Sequence, residues 1–250
     1  GGSLSFGGNI DVDNAGTVVF DQAADGTYAH QITGDGNLVK RNAGTLALTG
    51  DNGFSGHTRI EAGTLQVDGS LSGDLAIASR ATLSGIGTVG NVSAPAGSFV
   101  APGNAAYPFN TLTVAGDFAG GGTVRINTVL GDEQSDTGRL RVQGDVSGRS
   151  ALLVNRWSGD GAMTQGDGIQ VVQVDGKSAA DSFSLAKPVQ AGAYEYLLYQ
   201  GGDKDANDWY LRSELVDGGD GGNGGTQPPA PAFRLGVPGY VLGHQLNLEY

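Results

Sequence analysis

From Ile32 onward, apolar residues alternate with small or polar ones in short runs, and most runs are closed by glycine. The run Gly44-Thr45-Leu46-Ala47-Leu48-Thr49-Gly50 returns as Gly63-Thr64-Leu65-Gln66-Val67-Asp68-Gly69, as Gly87-Thr88-Val89-Gly90-Asn91-Val92 and as Asn110-Thr111-Leu112-Thr113-Val114-Ala115-Gly116. Weaker copies begin at Gly122 and Gly138. A period of two marks a strand with one buried face, so each block predicts a short strand. The four clear copies start at residues 44, 63, 87 and 110, a repeat in the low twenties. Turns such as Gly50-Asp51-Asn52-Gly53 and Ala94-Pro95-Ala96-Gly97 separate the blocks, and glycine is expected there to supply positive φ.

Three repeat architectures compete at this scale. Propeller blades need about 40–45 residues, which is too long. Leucine-rich repeats need a helical segment and an asparagine ladder in each unit, and neither is readable. A solenoid coil of three short strands and three turns fits. Leu46, Leu48, Phe54, Ile60, Leu65, Val67, Leu75, Ile77, Leu83, Leu112 and Val114 are then expected to point inward in columns. At one strand spacing per rung, residues 1 to about 215 would form roughly nine or ten rungs and a rod of about 45 Å.

Composition narrows the class further. The 250 residues include 45 glycines, far above the usual share of about 7%. Each interior glycine costs a helix roughly 1 kcal/mol relative to alanine, so a helical fold is disfavoured. There is no cysteine, which excludes a disulfide framework, metal thiolates and a cysteine nucleophile. The net charge of −12 argues against nucleic acid or anionic lipid as a partner and keeps a strand-rich chain from pairing edge to edge. No apolar run approaches the ~18 residues of a membrane-spanning helix. Gly1 to Phe6 do not read as a signal peptide, and the chain is expected to be a piece of a longer protein.

The segment Ile32-Thr33-Gly34-Asp35-Gly36-Asn37-Leu38-Val39-Lys40 is followed by the Gly44 block, by Asn52, Phe54, Gly56, Thr58 and Ile60, and by the Gly63 block. In that order it resembles the passenger repeat of the pertactin/AIDA-type autotransporters, with Phe54 in place of the commoner tyrosine. Leu83 to Gly90 and Val100-Ala101-Pro102-Gly103 are similar to later rungs of the family. Tyr194-Glu195-Tyr196-Leu197-Leu198-Tyr199, a turn through Gly201, Gly202 and Asp203, and Trp209-Tyr210-Leu211 resemble the closing hairpin of its autochaperone region. Phe233 to Tyr240 is similar to the lead-in to the outer-membrane barrel, with Gly236 where an acidic residue is usual.

The resemblance implies a right-handed parallel β-helix, all-β, with a hairpin-rich C-terminal cap. It further implies four parts: stem rungs over 1–105, an autochaperone-like cap over 106–216, a Gly/Pro-rich linker over 217–232, and a barrel lead-in over 233–250. The implied partner is the protein's own outer-membrane β-barrel, which lies outside this chain, and the implied location is the cell surface or the medium. Host surfaces or neighbouring passengers are further possible partners; nucleic acid is not.

Sharper motifs give way to structural readings. Gly85-Ile86-Gly87-Thr88-Val89-Gly90 has dinucleotide-loop spacing, yet no helix follows to face a pyrophosphate. Asp203-Lys204-Asp205-Ala206-Asn207-Asp208 imitates a calcium loop, but Asp208 stands where the sharp turn needs glycine, so Asp203, Asp205 and Asn207 are expected to solvate a hairpin tip. His30, His57 and His244 are the only histidines, and neither metal-ligand spacing nor a serine-nucleophile elbow is present. Asp68, Asp74, Asp117 and Asp145 sit beside turn glycines and are expected to bond to local backbone. Trp209 is expected opposite Tyr194, Tyr196 and Leu198, as an aromatic plug rather than a sugar platform. No contiguous exposed apolar or aromatic patch is readable. No residue is assigned a catalytic, cofactor-binding or metal-binding role, and no cofactor is implied. The expected function is that of a non-catalytic passenger stem that nucleates folding and supports secretion. The rival is an adhesion or self-association module, and a carbohydrate-active enzyme ranks third.

Overall fold

In the computed structural model, which describes residues 4–5, 7–13, 16–203, 205–215 and 230–231, every regular element is a strand. Successive strands wind around a common axis, so each of three sheets collects every third strand of the repeat. The first sheet stacks nine strands from Leu4–Ser5 to Phe183–Leu185, all parallel. The third stacks seven from Thr17–Asp21 to Val146–Ser147. The second begins at Asp51–Asn52, runs parallel to Ile169–Val174 and then changes character. This is a parallel β-solenoid. Nine strands at about 4.8 Å give a body close to 40 Å long.

The inward columns follow from register. In the first sheet Leu46, Leu65, Leu83, Val100, Val124 and Leu152 are successive partners, all buried. In the second, Leu71, Val89, Val114, Val142 and Val174 stack in the same way. All eleven residues expected to point inward do so. A coil of this kind has no interior except what its neighbours provide, so burial is complete only where rungs stack.

The repeat assignment needs one correction. The blocks at Gly44 and Gly63 are true neighbours, with Leu46 beside Leu65. The next rung of that sheet is Thr82–Gly85, not the block at Gly87. Thr88–Val89 and Thr111–Val114 belong to the second sheet, where they pair with each other. Both sheets impose the same in–out alternation, so the pattern by itself does not say which face a block occupies.

The turn glycines also act differently from expectation at Gly50 and Gly53, which do not have positive φ; Gly97 does, at 83°. Elsewhere the constraint is close approach. A Cβ on Gly56 would clash with the carbonyl of Gly36, and one on Gly73 with that of Gly56. Gly69 and Gly87 stack on Gly50 and Gly69 in the same way at another corner. At these corners backbone piles on backbone and space alone requires glycine, while Gly34, Gly63 and Gly85 combine close approach with positive φ.

The expected stem–cap boundary at 105/106 falls within continuous stacking, since Phe99 and Val100 pair with Thr123 and Val124. Beyond Pro102 the rungs lengthen, with extra chain at 103–110, 130–138 and 159–168. Of the expected linker and barrel lead-in, residues 217–229 and 232–250 lie outside the described residues; Ala230–Pro231 pairs antiparallel with Glu214–Leu215.

Candidate functional site

The features that hold rung to rung lie at the corners, and one corner carries a ladder of side-chain clasps. Asn91, Asp117 and Asp145 each stand just before an inward residue of the third sheet, namely Val92, Phe118 and Val146. Asn91 Oδ1 accepts from the Asp117 amide, Asp117 Oδ1 from the Asp145 amide and Asp145 Oδ1 from the Lys177 amide, each at 2.8 Å. Backbone bonds run the other way: the Val92 amide donates to Asp117 O and the Phe118 amide to Asp145 O. Each rung is thus tied to the next by two bonds of opposite sense. Asp74 extends the column by accepting from Asn91 Nδ2 at 2.8 Å.

Asp74, Asp117 and Asp145 bond between rungs, not locally as the sequence reading expects, whereas Asp68 accepts from the nearby Gln66 side chain and from the distant Asn104 side chain. Stacking at one strand spacing brings the next rung's amide within side-chain reach.

Two buried polar residues do similar work inside the stem. Asn52 accepts from the Ile32 amide at 2.8 Å and donates to the carbonyls of Gly50 and Ser70 at 3.0 Å, so it spans three rungs. Lys40 is fully buried, and its Nζ donates to the carbonyls of Arg41, Asn42 and Ala62. Burial lowers the Lys40 pKa, opposed by the charges of Asp21 and Asp25.

At the C-terminal end the parallel pattern stops. Tyr194–Gln200 and Trp209–Arg212 form the expected antiparallel hairpin, Val189–Ala191 adds a third strand, and Trp209–Arg212 pairs antiparallel with Ile169–Val174. An antiparallel layer ends the series of identical edges that would otherwise accept another rung.

The aromatic plug is present, but with different neighbours. Trp209 lies opposite Gln200, and its ring packs edge-on against Phe183 at 5.4 Å, with Phe118 stacked on the other side of Phe183 at 6.5 Å. Phe118 and Phe183 sit in strands too short to announce themselves in the sequence. Trp209 Nε1 donates to Ser178 Oγ at 3.0 Å, which fixes the indole.

Long-range bonds bolt this layer to the rungs. The Tyr196 hydroxyl donates to Gly131 O at 2.7 Å and accepts from the Ala162 amide at 3.0 Å. Its pKa is raised, chiefly by burial. The Thr164 amide donates to Ser213 Oγ and the Ser213 amide to Thr164 Oγ1, a reciprocal pair buried from solvent. Arg212 donates to the carbonyls of Asp167 and Gly201.

The calcium-like segment is committed to this anchoring. Asn207 Oδ1 accepts from the Ser178 amide at 3.0 Å rather than solvating a tip. Asp208 is buried and accepts from the Val174 amide and Gln170 Nε2. Among the described residues, no three acidic or histidine side chains converge as a metal site would need. His30 packs edge-on against Tyr28, and His57 lies 3.7 Å from Asp74 at an exposed position; His244 is outside the described residues. The Gly85–Gly90 motif is the corner between two strands, Thr82–Gly85 and Thr88–Val89.

One expectation about the surface fails: Tyr107 and Trp157 are 59% and 58% exposed, and the Trp157 ring packs edge-on against the half-buried Phe109 at 5.7 Å.

Comparison with known proteins agrees with this architecture. Residues 84–198 match the family model Autochaperone Domain Type 1, and residues 38–67 match the Passenger-associated-transport-repeat. The chain is 36% identical over 248 residues to the Adhesin BmaC autotransporter of Brucella suis, covering 93% of this chain and 7% of that protein. It is 41% identical over 110 residues to the Autotransporter adhesin AIDA-I of Escherichia coli, covering 42% of this chain and 8% of the relative. It is also 45% identical over 78 residues to an Extracellular serine protease of Serratia marcescens, covering 31% of this chain and 8% of that enzyme. The chain thus spans less than a tenth of the length of each of these relatives. With the transport repeat in its stem and the autochaperone match across its closing rungs, the chain belongs to the passenger domains of the pertactin/AIDA-type bacterial autotransporters.

Proposed function

We propose that this segment is a non-catalytic folding nucleus and stem: residues 106–216 fold first as a cap, and residues 1–105 stack onto it rung by rung. The observation that carries the reading is the asymmetry of the solenoid. Its C-terminal end is closed by Trp209, Phe183 and an antiparallel layer, while strands such as Thr123–Val129 leave that cap in register with the stem. A solenoid gains stability by nearest-neighbour stacking, so a finished terminal unit lowers the cost of adding the next rung. The clasp ladder supports the same order, because a formed rung at Asp145 offers both an amide and a carbonyl to the chain around Asp117. Stacking outside the cell would draw the remaining chain outward without nucleotide hydrolysis.

Passengers of this family work at the bacterial surface or after release from it. The implied partner is the protein's own outer-membrane barrel. The serine protease relative matches only a short part of this chain, so a catalytic function elsewhere in that protein is compatible with a shared stem.

The test is refolding of the chain beside variants that injure only the cap, Trp209→Ala and Tyr196→Phe. Slowed or abolished refolding of both halves, followed by hydrogen exchange at the amides of Leu46 and Leu65, is the expected result. If residues 7–105 regain full protection at the normal rate while the cap stays unfolded, the nucleation reading is wrong. A second reading, adhesion to a host surface or to neighbouring passengers, draws on the names of BmaC and AIDA-I and on the exposed Trp157 and Tyr107.

A further inference from the structure

The lengthened rungs of the cap enclose a notch of about 720 Å³ on the outer side of the second sheet. Its floor includes Thr111, Arg139, Gln170 and Tyr210, and the insertions at 133–137 and 165–168 line it as well. Phe109 is also part of the lining, and the exposed Trp157 ring lies against Phe109, outside the notch proper.

Two features set this notch apart from an ordinary crevice. The first is Arg139. It is half-buried, and its single hydrogen bond among the described residues is from Nε to Gln170 O at 3.3 Å. Among the described residues no carboxylate lies within ion-pair distance of it, the buried Asp208 acting only through its charge, so its terminal N–H groups are donors without a protein acceptor. Burial lowers its pKa, the cost of holding a guanidinium away from water. Neighbouring donors are already engaged: Gln170 Nε2 and the Tyr210 hydroxyl both donate to Asp208 Oδ2. The second feature is the exposed Trp157 ring packed on the half-buried Phe109, in a chain with few exposed large apolar side chains among the described residues.

The ligand class follows from the charges. Glu133, Asp136, Asp203 and Asp167, the last 3.7 Å from the Arg212 guanidinium, line the notch against the one lining cation Arg139, so a polyanion is repelled. The Asp136 and Asp203 carboxylates form no ion pair among the described residues. Carboxylates that accept and a guanidinium that donates match the hydroxyls of a polyol, and an aromatic face suits the C–H side of a pyranose ring.

We propose that this notch binds a neutral oligosaccharide, with Arg139 and the Asp136 and Asp203 carboxylates bonding to sugar hydroxyls and Trp157 and Phe109 stacking on an adjoining ring. The site lies in the cap and is independent of the folding reading, so the cap itself would contact glycans at a cell surface or in a matrix.

The test uses the 250-residue chain with maltohexaose, mannohexaose and N-acetylchitohexaose as neutral probes. A heparin hexasaccharide and a lysine pentapeptide serve as charged controls. Binding is read by saturation-transfer NMR and tryptophan fluorescence. At least one neutral probe is expected to bind with Kd on the order of 1 mM or tighter. Affinity is expected to fall at least about tenfold, equal to roughly 1.4 kcal/mol, in both Trp157→Ala and Arg139→Gln. Absence of binding by all three neutral probes at about 10 mM overturns the proposal. So does preference for either charged control, or unchanged affinity in the two variants. Should Arg139→Gln misfold, Trp157→Ala decides alone, because that side chain is exposed and its removal leaves the core intact.

Discussion

The hydroxyl of Tyr196 lies 2.7 Å from the carbonyl oxygen of Gly131, sixty-five positions earlier in the chain, and joins the closing hairpin to the insertion that follows Thr123–Val129. The same oxygen accepts from the Ala162 amide, so one phenol ties three separate segments. Tyr196→Phe keeps the ring packing and removes both bonds. It is expected to destabilise the cap by about 0.5–1.5 kcal/mol, because a partly buried amide and carbonyl lose their partner. Urea unfolding followed by near-UV circular dichroism measures it; a shift below experimental error would show that the phenol is not a clasp.

The ladder through Asn91, Asp117 and Asp145 separates geometry from charge. Asp117→Asn keeps an oxygen acceptor for the Asp145 amide, as Asn91 does one rung earlier, and is expected to be nearly neutral. Asp117→Ala removes it and is expected to cost about 0.5–1.5 kcal/mol. Equal loss in both variants would mean that the carboxylate charge, not the bond, supplies the stability.

Gly73 has an ordinary φ, yet its Cα faces the carbonyl of Gly56 so closely that a methyl group does not fit. Gly73→Ala must push two corners apart and is expected to destabilise by at least about 1–3 kcal/mol. Gly53→Ala is the control, since only a Thr33 methyl lies near a Cβ there, in ordinary contact. Thermal unfolding of the pair gives the comparison, and equal melting temperatures would refute close approach as the reason for glycine.

Tyr210 has its pKa pushed up to about 12 by burial and by the charges of Asp208 and Asp167. A folded value above the unfolded one, about 10, means that the contribution to stability is complete below pH 10. It is lost as pH climbs from 10 through 12, because the unfolded chain releases the proton first. Tyr28 and Tyr196 shift in the same direction. Tyr210→Phe is therefore expected to flatten the fall of stability over that window without abolishing it. Urea midpoints taken between pH 9 and 12 measure this, and an unchanged slope would count against it.

Much of the fold is legible in single residues. The inward direction of Leu46, Leu65, Leu83 and Leu112 follows from alternation alone, since a side chain two positions along a strand must return to the same face. The closing hairpin was readable from Tyr194 to Tyr199 and Trp209 to Leu211 because two apolar runs flank a polar turn. The partners of the plug were not, because Phe118 and Phe183 meet Trp209 only after the coil has closed.

What the sequence alone determined is local and periodic: strands, inward residues, a solenoid repeat, and the resemblance that its ordered motifs carry. Tertiary structure decided which of three equivalent faces each block joins, since Thr88–Val89 and Thr82–Gly85 satisfy the same alternation and only rung length assigns them. It decided that Asp117 serves the next rung and that corner glycines such as Gly56 and Gly73 answer to space. It also placed Phe109 beside Trp157 and left Arg139 unpaired in a notch. The physical reason is common to all of these. A period-two pattern fixes the direction of a side chain, while its neighbour along the axis comes from another rung, 17 residues away for Leu75 and Val92 and 33 for Ser150 and Phe183, a length the insertions set.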